Sequence, residues 1–104
     1  MNIITEIVTM KTVEGITKSE FINIVECLEK DYHSKQPGFI DSELLHNSKT
    51  DEWIMIQHWN SMDSLQSASK KMFNNIITEP FVKSINPKSV KMIMLPQLCK
   101  AKSL

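Results

Sequence analysis

The sequence predicts an α+β fold, a ferredoxin-like β-α-β-β-α-β sandwich with an antiparallel sheet and both helices on one of its faces. Two observations carry this. The order of strand-period and helix-period segments follows the split βαβ pattern. Two of the strands are apolar at odd and at even positions alike, so both sheet faces are expected to be covered. The chain has 104 residues, enough for one domain with one core. That domain is expected over 1–104, with its folded core at about 3–95 and a C-terminal tail at 96–104.

Ile3 to Lys11 is rich in Ile, Val and Thr and reads as the first strand. Glu14-Gly15 turns the chain. Thr17-Lys18-Ser19-Glu20 matches a capping box, in which the Thr hydroxyl accepts from the backbone N–H three residues on while Glu20 reaches back. Phe21, Ile24, Val25, Leu28 and Tyr32 follow at helical spacing, and Pro37-Gly38 ends the segment. Phe39 to His46 and Glu52 to Trp59 form a hairpin around the turn residues Asn47 to Asp51. Asn60 or Ser61 can cap a second helix striped by Met62, Leu65, Ala68, Met72 and Phe73. Thr78-Glu79-Pro80 opens a short helix, with proline in its first turn where the missing N–H costs nothing. Asn86-Pro87 closes it, and Val90 to Leu95 is the last strand.

The third strand is the most informative. Trp53, Met55 and Trp59 point to one face; Ile54, Ile56 and His58 point to the other. Val90, Met92 and Met94 alternate with Ile93 and Leu95 in the same way. Two helices cover one face only. An identical sheet across a two-fold axis is the economical cover for the other, and a homodimer through the sheet face is expected.

Composition narrows the partners. Twelve basic residues balance twelve acidic ones, and every basic residue is Lys. A neutral chain without Arg lacks the basic field and the forked guanidinium contacts of nucleic-acid binders, so none is expected. No apolar run approaches a membrane-spanning length, and the N-terminus shows no basic segment followed by an apolar run. Neither a membrane role nor a signal peptide is expected, and a cytoplasmic location follows, with Cys27 and Cys99 as reduced thiols.

Pro37-Gly38-Phe39-Ile40, Ser42-Glu43-Leu44-Leu45, the Trp53 strand closing on His58-Trp59-Asn60-Ser61, and Asp63-Ser64-Leu65 together resemble the antibiotic biosynthesis monooxygenase family. Phe73 to Val82 resembles that family's broken second helix, and the likeness runs from about Ile3 to Leu95. It implies a dimeric α/β barrel. It also implies one of three outcomes: a cofactor-free monooxygenase for polyphenolic or quinol-type substrates, a haem-degrading enzyme, or a small protein with another role. Haem is disfavoured, because the resemblance would place its axial His on the second helix and Ser61 to Asn75 has none.

A cofactor-independent monooxygenase acting on a small aromatic or quinol-type molecule is therefore expected. The alternative is a non-catalytic dimer of the same fold that binds a small apolar ligand or serves as a scaffold. His58 is the expected catalytic residue, since an imidazole with an ordinary pKa near ~6.5 suits proton transfer. Trp59 can wall a planar substrate, and His46, Tyr32 and Asn74 are candidates for binding it. The three His residues lack metal-ligand spacing, so no metal is expected. No acid–base pair converges in the sequence, which favours the non-catalytic alternative.

Overall fold

The computed structural model describes residues 2–102. Its elements are β1 (Ile4–Met10), α1 (Lys18–Asp31), β2 (Phe39–Asn47), β3 (Glu52–Trp59), α2 (Met62–Lys71), α3 (Glu79–Ser84) and β4 (Lys91–Pro96), with short 3-10 turns at His33–Lys35 and Pro87–Ser89. The four strands form one antiparallel sheet in the order β2-β3-β1-β4, the ferredoxin-like arrangement expected from the element order.

Local signals account for the element ends. The Thr17–Glu20 capping box is formed in both directions, satisfying two N–H groups at the start of α1. Ser61, rather than Asn60, caps α2 by accepting from the Ser64 N–H. Gly38 has φ +84 between α1 and β2, and a Cβ there would overlap Ser64 and Asn60, whose N–H donates to the Gly38 carbonyl at 2.8 Å. Only glycine lets the turn before β2 pack this closely on the entry to α2. The α2 helix stops short of the last two residues of its expected stripe, with Met72 as its C-cap. The helix ends at Lys71, and Phe73 lies beyond it, 68% exposed.

Strand register decides which face is which. Ile4, Glu6, Val8 and Met10 of β1 stand opposite Trp59, Gln57, Met55 and Trp53 of β3, and all eight side chains point toward the helices. Phe21, Val25, Leu28, Tyr32 and Phe81 pack on the Met10–Trp53 end. Leu65 and Ala68 pack on the Ile4–Trp59 end. The core thus consists of two apolar clusters with the row Glu6–Gln57 between them. The opposite face carries Ile7, Ile54, Ile56, Ile93 and Leu95, with Leu45 on the outer strand β2, and no helix crosses it. Ile93 and Leu95 are each more than half exposed. No helix among the described residues is long and apolar enough to cross a membrane.

Candidate functional site

A cavity of about 300 Å³ opens between the helix side of the sheet, α2 and α3. Its walls are mostly aliphatic and thioether, with Val8, Met55, Met72, Phe81 and Met92 among them, and Phe73 stands at its edge. Glu6, His33, Gln57 and Trp59 supply polar atoms to this apolar room. Apolar walls with a few convergent polar groups are the usual make-up of a small-molecule site. A larger groove of about 660 Å³ lies outside the sheet edge between α1 and β2, but it is shallow and charged, with Glu26, Glu29, Lys30 and Glu43 on its walls.

The polar groups form a connected chain. Glu29 closes α1, and His33 follows four residues later in the 3-10 turn, so both side chains fall on the side facing the sheet. His33 Nδ1 contacts the Glu29 carboxylate. Gln57 Nε2 donates to the other Glu29 oxygen at 2.9 Å, and Trp59 Nε1–H donates to Gln57 Oε1 at 3.2 Å. Gln57 and Trp59 are two residues apart on β3 and so share a face.

An ionised carboxylate only accepts hydrogen bonds, so His33 Nδ1 carries a proton toward Glu29, and in the neutral form of the ring Nε2 is left with a lone pair. Phe39 stacks on the imidazole at 5.9 Å between centroids, and Trp59 meets it edge-on at 6.0 Å. The ring is fixed in tautomer and in orientation, as a general base requires.

The two carboxyls nearby are pushed in opposite directions. Burial pushes Glu29 up, but hydrogen bonds from His33, Gln57 and Ser42, with the His33 charge, outweigh it and hold Glu29 below the ordinary value of 4.5. Glu6 is 5% exposed, and burial pushes its carboxyl above 4.5; His33 opposes that rise and Glu29 adds to it. Titratable neighbours driven apart are the mark of an acid–base site.

A test of this electrostatic picture is stability against pH. Below 4.5 Glu6 is protonated in folded and unfolded chains alike and carries no penalty. As pH rises past that value the unfolded chain ionises first, so Glu6 lowers stability progressively. Glu29 acts in the other sense: its contribution is present above 4.5 and is lost as pH falls through its lowered folded value. Glu6→Gln is therefore expected to raise the melting temperature well above pH 4.5 and to leave it unchanged below. Thermal melts at the two ends check this; an equal gain at both would mean that the Glu6 charge is not its cause.

Of the residues singled out in the sequence, only Trp59 lines the cavity. His58, the expected catalytic residue, points to the helix-free face, with Nδ1 2.6 Å from Asp41 Oδ1. It neighbours Trp59 in sequence, and strand alternation puts it on the other side of the sheet. His46 lies at the outer groove, with Nε2 2.9 Å from Asp51 Oδ1 and its ring against Trp53. Tyr32 is buried in the core, where its hydroxyl donates to the Ala68 carbonyl and burial pushes the phenol up. Asn74 is exposed at φ +65 in the α2–α3 loop, next to Phe73 but off the cavity wall.

The absence of a convergent acid–base pair is corrected too, since Glu6, His33 and Glu29 converge through the fold. A signal for Glu6 and Gln57 was present. Each interrupts an apolar alternation, Ile4-Glu6-Val8-Met10 and Trp53-Met55-Gln57-Trp59, and a polar residue on a core face calls for a reason.

Among the described residues no group of three or more His, Cys, Asp or Glu is placed to hold a metal. α2 offers no imidazole, so an axial ligand from that helix is missing.

Comparison with known proteins agrees with this architecture. A family model described as antibiotic biosynthesis monooxygenase matches residues 3–71. No curated protein matches the chain. Among solved structures, SnoaB, a cofactor-independent oxygenase from Streptomyces nogalater, is similar at TM-score 0.64 and 14% identity, over 98% of this chain and 97% of that one. Rv0793 from Mycobacterium tuberculosis is similar at TM-score 0.70 and 11% identity, over 96% and 99%. A conserved protein from Methanosarcina mazei Go1 is similar at 0.68 and 16%, over 91% and 92%. At these identities the structural likeness is one of fold.

Proposed function

The chain belongs to the antibiotic biosynthesis monooxygenase family, and from that premise we propose that it is a cofactor-independent oxygenase for a small aromatic or quinol-type compound, with His33 as its base. The observation that carries this is the Glu29-held imidazole on the wall of an apolar cavity, with Trp59 beside it. Family membership supports oxygenase-type chemistry in general. The substrate class rests on the cavity, whose size and apolar walls suit a compact ring system.

In this reading a ring methylene activated by adjoining phenolic rings becomes a ring carbonyl. His33 Nε2 removes one methylene proton, and the electrons left on carbon delocalise over the rings. The carbanion passes them to dioxygen, a C–O bond forms, and His33 returns the proton to give a hydroperoxide. Loss of the second C–H proton to His33 drives cleavage of the O–O bond. One oxygen atom stays as the carbonyl, and the other leaves as hydroxide, which takes the proton back and departs as water. The substrate gives up four electrons and dioxygen accepts four, so no cofactor enters the balance. The apolar walls keep bulk water from the carbanion.

Oxygen uptake with a panel of anthrone-type phenols and hydroquinones tests the assignment. A panel on which no compound raises uptake above the boiled-protein rate would sink it. Bound ligand without uptake would leave a small-molecule binding protein instead.

We also propose that two copies pair through the helix-free face. Its row Ile56–Ile7–Ile93 runs across three strands with no polar interruption. Thr5, Thr9, His58 and Lys91 flank this row, and an apolar strip rimmed by polar residues is the make-up of a protein–protein contact. His58 and Asp41 then sit toward the β2 edge of the paired sheets rather than in the cavity.

A further inference from the structure

We propose that the cavity selects uncharged ring compounds through Glu6, whose carboxyl donates a hydrogen bond to a ligand carbonyl or hydroxyl oxygen, and that it turns away analogues bearing a carboxylate. This rests on the small-ring reading of the cavity and adds to it a residue and a charge rule.

Three observations support it. Glu6 lies in the middle of β1 between Val8 and Ile4, on a cavity wall that is otherwise nearly all carbon and sulfur. Its carboxyl makes no side-chain hydrogen bond among the described residues, although its Cα partner Gln57 is fully engaged with Glu29 and Trp59. A buried polar group without a partner in the protein is available to a ligand. The cavity wall also holds no Lys, and the chain has no Arg.

The groups facing Glu6 set the direction in which its acidity is shifted. From β3 and β4 the facing residues are Gln57 and Met94, both uncharged. The charged neighbours are Glu29 of α1 and His33 of the 3-10 turn, and these two satisfy one another. Burial is the largest influence on Glu6 and raises its carboxyl above the ordinary value of 4.5, toward the form that can donate. A ligand carboxylate would meet the Glu6 carboxyl with no Lys or Arg on the wall to offset its own desolvation, and His33 is already engaged with Glu29. A ketone oxygen would meet a donor with an unused proton.

Equilibrium dialysis with two inert probes tests this. Tetralone is an uncharged bicyclic ketone whose oxygen only accepts; naphthoate is a bicycle of similar size carrying a carboxylate. Wild type is expected to bind tetralone at least about tenfold more tightly than naphthoate at neutral pH. Glu6→Leu should weaken tetralone by about tenfold, one hydrogen bond's worth, while Glu6→Gln, whose amide still donates, should keep most of the affinity. Circular dichroism confirms that each variant is folded.

The proposal is overturned by equal binding of the two probes, by no binding of tetralone, or by tetralone affinity unchanged in a folded Glu6→Leu. Neither probe is an oxidisable quinol, so the oxygenase reading is judged separately. Ketone selectivity without uptake on any quinol would remove that reading alone. Quinol turnover alongside equal probe binding would remove the charge rule alone.

Discussion

Replacing His33 with Gln is expected to lower oxygen uptake by about 100-fold or more while the protein stays folded, because general-base catalysis by a positioned side chain typically contributes ~10² to 10⁴. Gln keeps much of the volume and a donor toward Glu29, so the aromatic surround of Phe39, Tyr32 and Trp59 is largely preserved. What it loses is the Nε2 lone pair. Glu29→Gln separates chemistry from positioning. With an amide in place of the carboxylate, the imidazole loses the acceptor that fixes Nδ1–H and the charge that would stabilise its protonated form. Activity should fall less than in His33→Gln, since the Nε2 lone pair remains while the ring loses the acceptor that orients it. Steady-state uptake across pH, with the best quinol from the panel, reads both. Full activity in folded His33→Gln would remove the imidazole from the mechanism and return attention to Glu6.

On the proposed pairing the wild type is a dimer, and Ile7→Glu is expected to leave a folded monomer of 12.0 kDa. Ile7 occupies the centre of the helix-free face, between Ile56 on β3 and Ile93 on β4. On a free sheet a Glu there extends into water at little cost. Across a two-fold axis it brings two carboxylates into an apolar interface with no Arg in the chain to meet them. A penalty of about 3 kcal/mol or more per dimer weakens association by roughly 100-fold or more. Sedimentation equilibrium at micromolar concentration measures this, with circular dichroism to show that the fold is retained. A monomeric wild type would defeat the pairing argument at once.

The two predictions also bear on each other. The dyad of Glu29 and His33, the acid Glu6 and Trp59 all lie on the helix side of one sheet. A monomeric Ile7→Glu should therefore keep the cavity, and loss of uptake in it would indicate that pairing shapes the cavity from behind the sheet.

Most of the fold was legible without coordinates because its determinants are local. The Thr17 capping box, the Pro37-Gly38 stop, the Asn47 to Asp51 turn and the proline opening α3 each act within a few residues, and the strands announce themselves by period-two alternation. The two-sided character of β3 was equally plain. The site was far less so. His58 drew attention as an imidazole beside Trp59, and neighbours on a strand point to opposite faces, so choosing Trp59 for the cavity already excluded His58. His33 lies just past the end of α1, where an imidazole can simply complement the helix dipole, so no local signal marks it for the site.

The sequence by itself determined the β-α-β-β-α-β order, the element ends and the doubly apolar central strand, since backbone propensity and alternation are written residue by residue. Tertiary structure alone decided which face of that strand the helices cover, and with it the site. Register sets Glu6 opposite Gln57, and α1 with its 3-10 turn lowers Glu29 and His33 onto that row. Those four residues are separated by up to 51 positions, the span from Glu6 to Gln57. Only strand pairing and helix packing convert such separation into hydrogen-bond distance, and the opposite shifts of Glu6 and Glu29 arise from the burial and the hydrogen bonds that result.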